Sequence, residues 1–66
     1  MIVLLTPPDG HGDQWRIEIR PGGAVTVWLC LGRQIASSPL AWPRTVAGLG
    51  EWLVGQGIDP DELRAA

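Results

Sequence analysis

Apolar and polar residues alternate most clearly between Trp15 and Arg20. Trp15, Ile17 and Ile19 occupy every second position, and charged residues fill the positions between and after them: Arg16, Glu18 and Arg20. In an extended strand this alternation places the apolar set on one face and the charged set on the other. The segment is followed by Pro21-Gly22-Gly23, a sequence that favours a tight turn. It therefore predicts the first arm of a β-hairpin.

The second arm of this hairpin is expected from Ala24 to Leu31, a segment rich in β-branched residues. One of its faces is expected to join the apolar residues of the first arm in the core: Val25, Val27, Leu29 and Leu31. The other face carries Thr26, Trp28 and Cys30, although a solvated sheet face usually carries charged residues. We therefore expect either a partner's surface or another part of the chain itself to cover Trp28 and Cys30.

Shorter strands are predicted on either side of the hairpin. Ile2 to Leu5 is an apolar run that ends at Thr6-Pro7-Pro8, which is typical of a buried or edge strand. Gly32-Arg33 can turn the chain, and Gln34 to Ala36 would then return as a further antiparallel strand.

The C-terminal third of the chain has the spacing of a helix from about Thr45 to Gln56. Thr45 is a suitable N-cap, although Pro43 could equally begin the helix one turn earlier. An apolar stripe with one polar end follows Thr45: Val46, Leu49, Trp52, Leu53 and Gln56. Gly57 and Ile58 fit a Schellman ending, and Asp59-Pro60-Asp61-Glu62 predicts a second, short helical turn. Residues 64–66 are expected to fray.

Together these elements predict the α+β class. We expect a small antiparallel β-meander of three to four strands, with one C-terminal α-helix packed on a sheet face and a short terminal helical turn. The length of 66 residues suits one small domain covering residues 1–66.

Composition narrows the classes of protein that remain. With 45% apolar and 18% charged residues, the chain is too apolar for a disordered protein, and its one Cys cannot form an internal disulfide. Lys, Asn, Phe and Tyr are absent while Arg, Gly and Pro are common, which indicates a high-GC bacterial or phage genome. The first residues carry no basic signal region, so we expect a cytoplasmic protein and no membrane association.

Candidate chemistry is sparse. Asp9, His11 and Asp13 alternate in a glycine-rich loop, but they form too incomplete a ligand set to predict a metal site. The alternative is a solvated turn in which Asp side chains accept hydrogen bonds from nearby backbone N–H groups. A nucleophile would have to pair with His11, and the only partners are Cys30, Ser37 and Ser38. Because Cys30 lies among apolar residues, where a thiol is less reactive, we do not expect an enzyme. With the incomplete ligand set at 9–13, we also expect no metal and no cofactor.

The remaining function classes are binding functions. We expect a protein–protein interaction or regulatory module, because several apolar residues fall outside the predicted core: Trp28, Cys30, Leu40 and Trp42. A two-fold homodimer, formed through the sheet face or a bare N-terminal strand, would cover such residues in so small a domain.

The alternative function is a nucleic-acid-associated accessory protein. Three arginines on the outward side of the sheet, Arg16, Arg20 and Arg33, would contact phosphates, and Trp28 would stack on a base. Glu18 interrupts this row, and the formal charge of −2 does not favour nucleic acid as a partner.

Overall fold

The computed structural model describes residues 1–31, 34–35 and 44–66. They form a five-stranded antiparallel sheet with the strand order β4-β3-β2-β1-β5. The strands are β1 Ile2–Leu5, β2 Gln14–Ile19, β3 Val25–Leu31, β4 Gln34–Ile35 and β5 Arg64–Ala65. One helix, α1, spans Val46–Gly55, and a single 3₁₀ turn, Pro60–Glu62, precedes β5. The predicted α+β class, with a meander and one C-terminal helix, is confirmed.

The β2–β3 hairpin has the predicted arms. Ile17 lies opposite Val27 and Ile19 opposite Val25, so the apolar positions of both strands share one face. The turn between the strands contains Gly22 and Gly23 at φ values of 95° and 91°, which residues with a Cβ rarely adopt.

The core lies between this face and α1. Ile17 and Val27 are fully buried, and they pack with Val25 and with Leu49 and Leu53 of the helix. At the rim of this cluster the rings of Trp15 and Trp52 meet edge to face, with centroids 5.1 Å apart and planes at 82°. Both tryptophans thus contact the core, as predicted.

Two residues expected in the core are exposed instead. Leu31 is 52% exposed because β3 runs past the last β2 pair, Gln14 with Cys30, and leaves Leu31 without a β2 neighbour. Val46 is 53% exposed; it is the first residue of α1, so the apolar stripe continues on only one side of it.

Local hydrogen bonds fix both ends of α1. The Thr45 hydroxyl accepts a 3.1 Å bond from the Gly48 N–H, which confirms the predicted N-cap. At the other end the N–H of Ile58 donates to the Leu53 carbonyl at 2.9 Å, and the N–H of Gly57 donates to Val54 at 3.0 Å. These two bonds form the predicted Schellman ending.

The expectation that residues 64–66 fray is wrong. Arg64 and Ala65 pair antiparallel with Leu5 and Leu4, and the Ala66 N–H donates to Val3 at 3.0 Å. Hence β1 lies between β2 and β5 and is not a bare edge strand, because backbone groups pair with it on both sides.

Candidate interaction surface

The sheet has a second face, turned away from α1, which we call the outer face. The register of β1, β2, β3 and β5 assigns to it the residues of these strands, and of the turn after β2, that alternate with the core positions. These residues are Val3, Leu5, Gln14, Arg16, Glu18, Arg20, Thr26, Trp28, Cys30 and Arg64.

One row of this face crosses four strands in a line. Arg64 lies opposite Leu5, Leu5 opposite Arg16, and Arg16 opposite Trp28. Since neighbouring strands are about 4.8 Å apart, the two arginine backbones stand roughly 10 Å from each other with Leu5 between them. The row thus offers two cations, an aliphatic side chain and an indole to one ligand.

Glu18 organises the centre of the outer face. Its Oε1 accepts a 2.8 Å hydrogen bond from the Trp28 indole Nε1, and its Oε2 lies 3.3 Å from Nε of Arg16. The Glu18 side chain is only 14% exposed, so these two contacts compensate much of the cost of removing its charge from water. They also hold Trp28 and Arg16 in fixed orientations.

Charge is unevenly distributed between the two sides of the molecule. The outer face carries Arg16, Arg20 and Arg64 against a single acid, Glu18. The guanidinium of Arg20 donates a 2.8 Å bond to the Thr26 hydroxyl, which is a neutral partner. Within the described ranges, the Arg64 guanidinium forms no hydrogen bond or ion pair. The outer face is therefore positive, although the whole chain carries −2.

A groove of about 380 Å³ lies at the β1–β5 margin of the outer face. Its walls are formed by the end of β1 with the two prolines after it, the start of β2, and the 3₁₀ turn with β5: Leu5, Thr6, Pro7, Pro8, Gln14, Glu62 and Arg64. Thr6 is buried, and its hydroxyl accepts a 2.8 Å bond from the Trp15 N–H. The Gln14 amide donates to the Thr6 carbonyl at 2.8 Å. These bonds fix the groove wall to β2.

The structure brings together part of the predicted sites. Trp28 is half-buried and Cys30 buried on the outer face, and Arg16 and Arg20 lie on the same face. Leu40, Trp42 and Arg33, and the two serines at 37 and 38, lie outside the described residues. The sequence analysis missed Arg64, because a two-residue strand has no periodicity that could place it on this face.

The loop before β2 is the predicted solvated turn. The Asp9 carboxylate accepts bonds from the N–H groups of Asp13, at 3.0 Å, and His11, at 2.8 Å. These donors lower the pKa of Asp9 below its ordinary value of 3.8, because they stabilise the ionised form. Across the part of the chain that the structure describes, no group of three His, Cys, Asp or Glu residues is arranged to hold a metal ion.

Comparison with known proteins identifies no relative: neither a family model, nor a curated protein, nor a solved structure matches the chain. No helix among the described residues has the length and apolar character that crossing a bilayer requires.

Proposed function

We propose that the protein is a small, non-enzymatic interaction module that binds a protein partner through the outer face. The arrangement around Trp28 supports this function best. A tryptophan contributes a large contact area at a low cost in side-chain entropy, and Glu18 already holds this one in place. Arg16 and Leu5 lie beside it in the same row, and arginine is also enriched where proteins meet.

Binding is favoured over catalysis by the placement of the reactive side chains. Cys30 is buried on β3, whereas His11 is exposed in the loop at 9–13. A buried thiol on a different element from the exposed histidine is poorly placed for nucleophilic catalysis, which needs an adjacent base. We also infer a cytoplasmic location in a high-GC bacterium or its phage, where reducing conditions keep Cys30 a free thiol.

The first partner to consider is a second copy of the chain. A domain of this size gains little more from its core than it loses in conformational entropy, and association would add buried apolar area. We propose a two-fold homodimer in which the outer faces meet around the half-buried Trp28. Pairing through β1 is not proposed, because β2 and β5 occupy both of its sides.

Sedimentation equilibrium at micromolar concentration tests the homodimer. We expect the mass of a dimer for the wild type and for Val54→Arg, a control on the exposed side of α1, and the mass of a monomer for Trp28→Arg. Far-UV circular dichroism of each variant verifies that it is folded. A monomeric wild type would exclude self-association and leave a different protein as the partner.

A different protein partner is tested by affinity capture from a lysate of the source organism. Wild type and Val54→Arg should retain the same protein, and folded Trp28→Arg should lose it. Equal retention by all three variants would place the interface elsewhere and contradict the proposed use of the outer face.

The second candidate function is association with nucleic acid. It is favoured by one observation, namely that Arg16, Arg20 and Arg64 share the outer face with a tryptophan. Three cations predict weak, salt-sensitive binding. A gel shift at low salt should then show retardation that Arg20→Gln reduces, and no retardation at micromolar protein would exclude this function.

A further inference from the structure

The groove at the β1–β5 margin places Arg64, which has no partner among the described residues, beside an apolar surface. We propose that it binds an extended acidic segment of a protein partner, with an apolar side chain over Leu5 and a carboxylate on Arg64. The inference rests on the proposed function, because it specifies the chemistry of a partner that binds at the outer face.

The apolar part of the site is formed by Leu5 and the exposed Pro7 and Pro8. Proline has no N–H, and the neighbouring Thr6 uses its own N–H to donate to the Trp15 carbonyl at 3.0 Å. The Thr6 hydroxyl is also engaged, by the Trp15 N–H. This wall therefore offers apolar contact and no unused backbone donor, which suits an aliphatic side chain better than a polar one.

The charged part of the site is the pair of arginines on either side of Leu5. No described residue accepts a hydrogen bond from the Arg64 guanidinium. A carboxylate matches the planar guanidinium and can accept two parallel hydrogen bonds from it. Arg16 contacts Glu18 through Nε, and among the described residues its terminal nitrogens have no hydrogen-bond partner. Acidic side chains before and after one apolar residue would meet both cations.

Two glutamates favour a peptide over nucleic acid in this groove. Glu18 occupies the centre of the outer face, and Glu62 forms part of the groove wall. A phosphate backbone carries a charge at every nucleotide and would be repelled by both, whereas a peptide can place its few carboxylates on the arginine side. The same argument predicts that Glu62 opposes binding of the acidic segment.

Fluorescence anisotropy with a short labelled peptide, in which glutamates flank one leucine, tests the proposal. We expect saturable binding to the wild-type protein and about tenfold weaker binding to Arg64→Gln, because a charge-assisted pair is lost. Glu62→Gln should bind about two- to threefold more tightly, because a like charge is removed from the rim. Glu51→Gln, on the exposed surface of α1, should leave the affinity unchanged.

Two further probes decide between occupants. The same peptide with glutamine in place of glutamate should not bind, and a single-stranded oligonucleotide should not displace the acidic peptide. The proposal would be overturned if the acidic peptide did not saturate the protein, or if the wild type and Arg64→Gln bound it equally well. Tighter binding of the oligonucleotide than of the peptide would instead support nucleic-acid association. Arg64→Gln leaves Trp28 unchanged. An unchanged peptide affinity in Arg64→Gln would therefore contradict the groove proposal alone, whereas retained partner capture by Trp28→Arg would contradict the proposed function.

Discussion

Trp28 donates its indole N–H to Oε1 of Glu18 over 2.8 Å, and this bond ties β3 to β2 on the outer face. The other carboxylate oxygen contacts Arg16. One acidic side chain thus fixes the position of the aromatic residue on which the proposed interface depends.

Substitutions of Glu18 should separate its two contacts. Glu18→Gln retains an oxygen acceptor for the indole and removes only the charge partner of Arg16, so we expect the unfolding free energy to change by less than about 0.5 kcal/mol. Glu18→Leu removes both contacts and should lower it by about 1 kcal/mol. Urea denaturation measures the stability, and the indole N–H resonance of Trp28 should move in Glu18→Leu alone. An unchanged resonance in Glu18→Leu would contradict the hydrogen bond.

Leu53 is the most deeply buried residue of α1, at 2% exposure. Leu53→Ala should lower the unfolding free energy by about 2–5 kcal/mol, because it leaves a cavity against the sheet. In a domain this small, such a loss can unfold the chain. The matched control is Val54→Ala, one position away and 72% exposed, which should change stability by less than about 0.5 kcal/mol. Similar thermal melts for the two variants would remove Leu53 from the core.

Two glycines of the helical region should respond to alanine with opposite signs. Gly57 has a φ of 73° in the Schellman ending, so Gly57→Ala should cost about 1–2 kcal/mol of stability. Gly50 lies inside α1 with open space where a Cβ would be placed, so Gly50→Ala should stabilise the protein by about 0.5–1 kcal/mol. Chemical denaturation measures both, and destabilisation by Gly50→Ala would contradict the open space around that residue.

The loop at 9–13 should lose order in acid. The folded protein lowers the pKa of Asp9, because the N–H groups of Asp13 and His11 bond to its carboxylate. The stabilisation that this carboxylate gives the loop is therefore fully present above its ordinary pKa of 3.8 and is lost as pH falls through the lower folded value. The amide resonance of His11, which donates to the Asp9 carboxylate, should titrate with a midpoint below 3.8 in an NMR series.

A substitution at Asp9 verifies the assignment of that titration. Asp9→Asn should abolish the acid transition of the His11 amide, whereas Asp61→Asn, in the 3₁₀ turn, should leave it in place. A midpoint above 3.8 would show that the backbone donors do not stabilise the ionised form.

The amino-acid sequence alone determined the elements whose causes are local. The alternation from Trp15 to Arg20 and the Pro-Gly-Gly turn specify the hairpin, since a period of two and positive φ values belong to neighbouring residues. Thr45 at the start of α1, and Gly57 with Ile58 at its end, specify the helix boundaries by hydrogen bonds within a few residues. The buried core positions were also predictable from the sequence wherever the apolar repeat of a strand or of the helix continued through the middle of that element.

Only the tertiary structure decided which distant residues share a surface. The pairing of Arg64 with Leu5 joins the two ends of the described chain, and a two-residue strand has no pattern from which such a pairing could be read. It places Arg64 in the row with Arg16 and Trp28 and creates the groove. The exposure of Leu31 and Val46 has the same origin, because burial at the end of an element depends on what lies opposite it and not on its own periodicity.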